Sequence, residues 1–308
     1  MDATIYHYNL WLVQLFGTAN PKIHNIIKKY GSSQNAYDAI TQGDIALLDM
    51  AERKKLNSVS LDYIDQVIAY CRRTGILLCA LGDKNYPKLL SEIYDPPIVF
   101  FYRGDLSCLD ELSLTFIGAR EPTPYIMRLC ARITREISKK GITIVSGMAR
   151  GIDECAHMTC IANNRKTVGI LACGIDIEYP YNSMSLRKSI IENGGAYISE
   201  LMPRENVTKE YFNPRNRLMA GLSRGTAIFQ ASNISGTLIT ASYAVEENRD
   251  LFCVPPPDIY APEYSGVVSL LRDGAIPLFN HEDILNEYKN LYIFNVYKMK
   301  SLEIRIHP

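Results

Sequence analysis

Apolar residues follow a helical spacing in the first part of the chain. Up to about residue 88 they recur three and four positions apart, as around Leu10 and Val13 and again at Ile23, Ile26 and Ile27. This spacing places apolar side chains along one face of a helix. Residues 1–88 are therefore predicted to form a small all-α unit.

A different pattern begins near residue 98, where short, β-rich apolar runs alternate with amphipathic segments. Apolar strands separated by helices are typical of a parallel sheet that is covered on both faces. We therefore predict an α/β domain with an extended, Rossmann-like, doubly wound and mostly parallel sheet. The predicted strands span residues 98–102, 114–117, 142–145, 167–171, 196–198, 226–229, 251–254 and 276–279.

Prolines mark the boundary between the two patterns. Pro87, Pro96 and Pro97 interrupt the helical spacing and favour turns. The chain is thus divided into a helical unit at 1–88, a Rossmann-like domain at 89–285 and a tail at 286–308 that has no clear periodicity. Within the helical unit, residues 15–31 are similar to a helix-hairpin-helix, whose turn offers backbone N–H groups to a DNA phosphate. The second hairpin glycine is missing, so packing is the favoured interpretation of that segment.

Composition excludes several classes of protein. With 308 residues, 47% of them hydrophobic and 21% charged, the chain is typical of a globular protein with one large and one smaller domain. Its 33 basic and 33 acidic residues balance, so a nucleic-acid site would have to be a local basic patch. No basic leader with an apolar core and no long apolar run is present, and we expect a cytoplasmic protein without membrane contact.

The cysteines and histidines do not indicate a metal site or a cofactor. The eight cysteines never form a C-x-x-C pair, and buried reduced thiols are the favoured interpretation. The five histidines are scattered, and His157 is interpreted as a core or rim histidine and not as a catalytic base. The acidic pair Asp176 and Glu178 follows the strand at 167–171, where a structural turn is favoured over acid–base chemistry.

Two turns rich in small residues follow the first two strands of the alternation. Gly118, Ala119 and Arg120 end the run at 114–117. Small residues let backbone N–H groups approach an anion, and an arginine at the end of the strand adds a charge. We predict a phosphate contact at this turn; the alternative is an ordinary surface arginine in a loop.

The second turn follows the run at 142–145 and opens a helix. Ser146, Gly147, Arg150 and Gly151 combine a tight turn, free N–H groups at a helix start and a guanidinium that can hold a phosphate. The segment matches neither a P-loop nor a G-x-G-x-x-G motif, so an NTPase or an ordinary dinucleotide site is not supported. Asp153 is interpreted as a favourable charge for the helix dipole.

A third segment mixes basic and aromatic residues. Lys209, Phe212, Arg215, Asn216 and Arg217 lie within nine positions and lead into a helix. Positive charge for a backbone beside an aromatic face for bases is suited to single-stranded nucleic acid. The alternatives are that Phe212 anchors the loop in the core and that Arg215 or Arg217 pairs with an acid.

A fourth segment begins a helix after the run at 226–229. Ser235, Gly236 and Thr237 place a capping serine and a bare glycine at the helix start, which is suited to anion binding. Ordinary helix capping needs the same residues, so both interpretations stay open.

Taken together, these segments resemble the DprA/Smf family of bacterial DNA-processing proteins over nearly the whole chain. No single motif carries the resemblance; their order and spacing do. The matching segments are Tyr86-Pro87, Asp95-Pro96-Pro97, Gly118-Ala119-Arg120, residues 146–153, Gly174-Ile175-Asp176 with Tyr179-Pro180, residues 199–203, Phe212 with Arg215-Asn216-Arg217, residues 220–223, residues 235–241, and Val254-Pro255.

The resemblance implies an extended Rossmann domain that binds single-stranded DNA without catalysis. It also implies protection of incoming DNA during natural transformation, loading of a RecA-type recombinase, and a homodimer formed through the Rossmann domain. By the family's pattern, Arg120, Lys209 and Arg217 would contact phosphates and Phe212 would stack on a base. The helical unit corresponds to the family's sterile-alpha-motif-like domain.

The chain departs from the family pattern at several positions. Ala119 stands where serine is common, Gln230 where an acid usually precedes Ala231, and Pro256 where a glycine usually follows. These changes would retune the pocket without abolishing it. The winged-helix domain of many members has no counterpart in the tail at 286–308, so functions tied to it are not implied.

Two rival functions share some of these features. One is a Rossmann-type hydrolase that cleaves nucleoside monophosphates, but its catalytic acids after Gly-Thr-Leu are replaced here by Ile239 and Thr240. Without that carboxylate an oxocarbenium-like transition state lacks its stabiliser. The other is a nucleotide-sensing or purely protein-binding module, in which the same turns would hold a mononucleotide.

Overall fold

The structure is a computed structural model that describes residues 4–110 and 112–289. Most of the predicted tail, from residue 290 onward, lies outside the described residues. The helices, in chain order, are α1 Thr4–Phe16, α2 Lys22–Tyr30, α3 Ser33–Thr41, α4 Met50–Leu56, α5 Leu61–Thr74, α6 Lys88–Ser91, α7 Pro124–Lys139, α8 Ile152–Ala162, α9 Ser183–Glu192, α10 Phe212–Gly221, α11 Thr237–Glu246, α12 Ser265–Arg272 and α13 His281–Glu287.

The strands lie close to the predicted apolar runs. They are β1 Leu77–Ala80, β2 Val99–Gly104, β3 Ser113–Ile117, β4 Thr143–Ser146, β5 Thr167–Ile170, β6 Ala196–Ser199, β7 Gly225–Ile228, β8 Asp250–Cys253 and β9 Ile276–Pro277. Within the described residues they form one nine-stranded sheet in the order β1-β2-β6-β5-β4-β3-β7-β8-β9. The predicted doubly wound, mostly parallel sheet is thereby confirmed; only β2 pairs antiparallel with its neighbours, β1 and β6.

Strand β1 lies inside the segment predicted as helical. Helix α5 ends at Thr74, its C-cap Gly75 adopts a left-handed conformation (φ 69°), and β1 begins two residues after Gly75. A four-residue apolar run directly after a helix carries no period of its own, so the pattern did not separate it. The sheet therefore begins before residue 89, and Tyr288 extends its core slightly beyond residue 285.

The strand order reverses between β3 and β7. From β3 the chain adds β4, β5 and β6 on one side, and then returns to add β7, β8 and β9 on the other. Ile117 and Ile228 are register partners, so β3 and β7 end together. In doubly wound sheets this reversal opens a crevice beyond the carboxyl ends of the strands. The turns after β3, β4 and β7 meet at this point.

Alternating side chains of the strands form cores on both faces of the sheet, as the pleat requires. On one face Phe116 and Ile144 pack with residues of α7 and α8. On the other face Ile117 and Val145 pack with residues of α10 and α11. Helix α12 contributes Val267 to this second core.

The helical unit formed by α1 to α5 shares a core with the edge of the sheet. Leu10 and Trp11 of α1 belong to the same buried cluster as Phe101 of β2. The Asn9 side chain donates a hydrogen bond to the Ile98 carbonyl (3.0 Å), and the Tyr6 hydroxyl donates to Asp83 (2.7 Å). Helices α1 to α5 are thus packed on the antiparallel edge of the sheet. Among the described helices, none has the length and apolarity that a bilayer crossing requires.

Candidate nucleic-acid-binding cleft

A cleft of about 290 Å³ lies at the reversal of strand order. Three of the predicted segments meet there: the turn after β3, the start of α10 and the start of α11. The predicted residues that line it are Gly118, Ala119, Arg120, Phe212, Arg215, Asn216, Ser235, Gly236 and Thr237. The sequence-based site thus corresponds largely to one continuous surface.

Two turns of the cleft wall are pressed together at Gly151. This residue has φ 82°, and a Cβ atom there would lie 2.4 Å from the Ala119 carbonyl oxygen. The Ile152 amide donates to the same oxygen at 3.2 Å. Only glycine meets both the backbone conformation and the close approach. The turn after β4 is therefore held directly against the turn after β3.

A buried arginine joins the ends of two strands below the cleft. Arg215 Nη1 donates to the Gly147 carbonyl (2.5 Å) and to the Ile170 carbonyl (2.7 Å), and Nε donates to Asn216 Oδ1 (3.2 Å). Burial lowers the pKa of the Arg215 guanidinium, although the negative charge of Asp153 opposes the shift. Arg215 thus fixes the turn after β4 and the end of β5 to α10.

Asp153 complements this buried charge. Its Oδ2 accepts hydrogen bonds from the amides of Gly147 (3.1 Å) and Ala149 (3.3 Å). Burial raises the pKa of Asp153 to about 6, even though Arg215 and the two amides favour the charged form. The sequence suggested only a helix-dipole role, because a pattern does not reveal that this carboxylate is buried against Arg215. Asp153 is the main residue of the cleft that the sequence motifs did not assign to the site.

Phe212 provides a half-buried aromatic surface in the cleft. The guanidinium carbons of Arg120 and Arg215 each lie 5.9 Å from its ring centroid, and the Tyr179 ring meets it edge-on at 5.8 Å. Such contacts favour a cation over an aromatic face. The ring is therefore held in place by two arginines and a tyrosine.

Three of the predicted basic residues are exposed to solvent. Arg120, Arg150 and Lys209 each lack a side-chain hydrogen bond or ion pair with another described residue. Of these three, Arg120 lines the cleft and lies over the Phe212 ring. Arg150 follows the lining residue Ala149 in the chain, and Lys209 lies in the short 3-10 turn Lys209–Tyr211 just before α10, but neither lines the cleft itself.

Four predicted site residues are buried and do not line the cleft: Ser146, Gly147, Gly151 and Arg217. Arg217 donates from Nη2 to both carboxylate oxygens of Glu200 (2.6 and 2.7 Å), and its Nε lies 3.6 Å from Asp95. Its guanidinium points into the protein, so a phosphate contact would require breaking this pair. Ser146 is fully buried and donates to the Phe116 carbonyl at 2.6 Å. Both side chains stabilise the frame of the cleft.

The start of α11 is open to the cleft. Ser235 Oγ accepts from the Thr237 amide (3.2 Å), and Thr237 Oγ1 lies 3.5 Å from the Gly118 carbonyl oxygen. A Cβ atom on Gly236 would meet no atom within 4 Å. The serine thus makes a local turn, while the space next to Gly236 stays accessible to a ligand. Thr240 and Met219, which no motif singled out, complete the lining.

The described part of the chain holds no group of three or more His, Cys, Asp or Glu side chains that is placed to bind a metal ion. His157 is fully buried, and its Nδ1 lies 2.8 Å from Thr167 Oγ1. Burial lowers the pKa of His157 to about 3. It is a core histidine, as the sequence indicated.

The fold and the cleft define an extended Rossmann-type protein with a cleft lined by small and basic residues at its strand reversal. The profile of the family described as DNA recombination-mediator protein A matches residues 77–289. The DNA processing protein DprA of Streptococcus pneumoniae is 30% identical over 285 residues, which cover 92% of this chain and 99% of that protein. DprA of Bacillus subtilis is 36% identical over 225 residues, or 73% of this chain and 75% of that protein.

Comparison with solved structures indicates the same family. The X-ray structure of S. pneumoniae DprA matches with a TM-score of 0.77 and 28% identity, covering 91% of this chain and 97% of that chain. DNA processing protein A of Helicobacter pylori, whose structure addresses its single-stranded DNA binding mode, matches with a TM-score of 0.63 and 31% identity over 70% of this chain and 97% of that chain. The chain belongs to the DNA recombination-mediator protein A family and is a DNA-processing protein of the DprA/Smf group.

The packing of Gly147 gives a test of the cleft's frame. A Cβ atom on Gly147 would lie 2.3 Å from Arg215 Nη1 and 2.9 Å from Asp153 Oδ2. We expect Gly147→Ala to displace the buried pair and to lower the free energy of unfolding by about 1–3 kcal/mol. Urea denaturation of the two proteins measures this difference.

Gly236→Ala is the matched control, because Gly236 has φ −60° and no atom near its Cβ position. It should change the free energy of unfolding by less than about 0.5 kcal/mol. Equal stability of Gly147→Ala and wild type would contradict the close packing of Arg215 against this turn.

Proposed function

We propose that this protein binds single-stranded DNA in the cleft and holds the strand without cutting it. The observation that carries the proposal is the contact between Arg120 and the half-buried Phe212 ring: the exposed guanidinium, which has no ion-pair partner among the described residues, lies 5.9 Å from the ring centroid. A cation for the backbone beside an aromatic face for a base is the arrangement that single strands require. The binding mode addressed for the H. pylori relative supports the same ligand.

The structure suggests a role for each predicted residue. Arg120 would contact a phosphate in the cleft, and Arg150 and Lys209 would do so beside it, because all three are exposed cations without a hydrogen-bond or ion-pair partner among the described residues. Phe212 would stack on a base. The small residues of the turns, Gly118 and Ala119 with Gly236, would let the backbone of the strand come close.

The buried residues would act through the frame of the cleft. Arg215 holds two strand ends with its hydrogen bonds to Gly147 and Ile170. Arg217 links α10 to Glu200 and Asp95 through ion pairs. Asp95 in turn lies 3.3 Å from His24 of the helical unit. We therefore assign Arg215 and Arg217 to positioning α10, with Asn216 at the cleft surface.

Nothing in this arrangement favours hydrolysis over binding. A glycosidic cleavage needs a carboxylate aimed at the sugar, and Ile239 and Thr240 occupy the positions where the related hydrolases carry acids. Asp153 also lines the cleft, but its Oδ2 accepts two backbone hydrogen bonds. The nucleoside monophosphate hydrolase remains the alternative, and a nucleotide-sensing module is the second one.

We further propose that the bound strand is protected and passed to a RecA-type recombinase in the cytoplasm, during natural transformation and recombination. The family description, a DNA recombination mediator, supports this role. Two copies of the protein would pair through the Rossmann domain, a state that sedimentation velocity measures directly. No cofactor or metal takes part in the proposed binding.

Salt-titrated binding tests the ligand. We expect tighter binding to an oligo-dT strand than to duplex DNA or to a mononucleotide, with a steep salt dependence because each phosphate contact releases counterions. Arg120→Ala and Lys209→Ala should each flatten the slope by roughly 0.7. Fluorescence anisotropy across a salt series gives both the affinity and the slope.

Arg272→Ala is the control, since Arg272 is an exposed cation at the end of α12, away from the cleft. It should leave the slope unchanged. Preference for duplex DNA or for the mononucleotide would refute the proposed ligand. Wild-type slopes in both cleft variants would show that Arg120 and Lys209 do not contact the strand.

The titration of Asp153 predicts a pH dependence of binding. Its pKa of about 6 means that the carboxyl becomes neutral as the pH falls through that value, which leaves the charge of Arg215 uncompensated. An anionic strand should therefore bind roughly two- to fivefold more tightly at about pH 5.5 than at about pH 7.5. Oligo-dT is the probe, because thymine does not titrate in this range.

Asp153→Asn isolates this effect. The amide oxygen can still accept from the Gly147 and Ala149 amides, but the charge is gone at every pH. The variant should bind as tightly at neutral pH as the wild type binds at low pH. If wild type and Asp153→Asn showed the same pH profile, another group would be responsible.

Delivery to a recombinase is tested on a strand already coated with single-strand-binding protein. Adding this protein should shorten the lag of the recombinase's DNA-dependent ATPase, because a mediator supplies free strand to it. Arg120→Ala combined with Lys209→Ala should restore the long lag, whereas Arg272→Ala should not. A lag that stays long with the wild-type protein would rule out the mediator step for this chain.

A further inference from the structure

A second groove runs between α7 and α8 on the opposite side of the cleft wall. Its volume is about 770 Å³, and its floor includes Ala131 of α7 with Cys155 and Met158 of α8. Met158 is 52% exposed, although its neighbours on both helices are packed into the core. The proposed DNA-binding residues do not account for this surface.

Three arginines of α7 line the groove. Arg128, Arg132 and Arg135 are spaced four and three residues apart, which places them on one face of the helix. All three are exposed, and neither Arg128 nor Arg132 makes a hydrogen bond or an ion pair with another described residue. Arg135 contacts the adjacent Glu136 at 3.0 Å. The opposite wall contributes a single acid, Glu154.

The spacing of these cations suits a chain of regularly placed anions. A helix rises about 1.5 Å per residue, so Arg128 and Arg132 are offset by roughly 6 Å along α7. This offset is of the order of one nucleotide in an extended strand. Surface arginines on one helix face would be mutually repulsive in the absence of an anionic partner.

The groove opens at the cleft. Helix α7 begins just after the Arg120 turn, where Thr123 caps it, and α8 begins just after Gly151. Gly151 lines the groove and also packs against the Ala119 and Arg120 carbonyls of the cleft wall. Arg150, exposed and unpaired, stands next to it. A strand that leaves the cleft past Arg120 therefore meets this groove directly.

The chemistry of the groove lining favours one kind of ligand. Helices α7 and α8 pack directly against each other, so the groove is a surface furrow between their exposed side chains. An apolar floor with a cationic rim fits bases facing inward and phosphates facing the arginines. A neutral protein partner fits this lining less well, because it would remove Arg128 and Arg132 from water without supplying a negative charge.

We propose that the groove between α7 and α8 continues the path of the bound strand, with Arg128 and Arg132 as its phosphate contacts. The inference rests on the proposed binding of single-stranded DNA in the cleft. It predicts that the protein engages a longer strand than the cleft alone can hold. An acidic segment of another protein, or a second copy of this chain, is the competing occupant.

The test compares two oligo-dT lengths: about six nucleotides, near the lower end of the site sizes typical of single-strand binding folds, and about twenty, which exceeds them. Arg128→Ala combined with Arg132→Ala should weaken binding of the longer strand roughly three- to tenfold at low salt, and should flatten its salt slope by about 1.4. Binding of the short strand should stay unchanged, since the cleft alone accommodates it.

The matched control removes the same charge elsewhere. Arg224 precedes β7 at the amino ends of the parallel strands, and Arg272 ends α12; both are exposed. Arg224→Ala combined with Arg272→Ala should leave binding of both strands as in wild type. This comparison separates a local contact from a change in net charge.

Other outcomes overturn the inference. The inference is wrong if the groove variant binds the longer strand with wild-type affinity and salt slope. It is also wrong if the variant loses the same affinity for both strand lengths, because that result would indicate a disturbed cleft. A change in self-association by sedimentation velocity, with DNA binding intact, would assign the groove to a second copy. If the wild-type protein bound neither strand, the proposed function itself would fail, independently of the groove.

Discussion

The cleft depends on the buried guanidinium of Arg215. Two of its hydrogen bonds end on carbonyls at the ends of neighbouring strands, Gly147 and Ile170, and the helix that carries it forms the opposite wall. Removing one partner from such a buried charge typically costs about 3–5 kcal/mol, because the other partner stays desolvated. The turns that line the cleft therefore keep their positions only while Arg215, Gly147 and Asp153 remain packed together.

This arrangement separates the basic residues in and around the cleft into two kinds. Arg215 and Arg217 are buried and matched by carbonyls or carboxylates, whereas Arg120, Arg150 and Lys209 are exposed and unmatched. The first kind maintains geometry, and the second kind produces a positive field in a chain whose charges otherwise balance. Phe212 lies between them, in contact with one arginine of each kind.

Much of the fold and part of the site could be predicted from local patterns. The apolar runs of β3 to β8 and the glycine turns are encoded within a few residues, because burial on both faces and tight strand-to-helix turns each restrict residue type locally. Strand β1 could not be recognised in this way, because its apolar run adjoins α5 without a distinct period. Arg217 was expected to contact a phosphate, because the sequence does not distinguish exposed from buried basic residues near Phe212. Its ion pair with Glu200 could not be predicted, because the two residues lie far apart in the chain.

The sequence by itself determined the class of fold, the strand-end turns and the residue types suited to a phosphate backbone and a base. Only the tertiary structure decided which arginines face solvent, that Asp153 is buried with a raised pKa, and that a groove lined by α7 arginines opens beside the cleft. The physical reason is that turn chemistry and hydrophobic periodicity are local, whereas desolvation and charge pairing depend on which distant residues the sheet brings together.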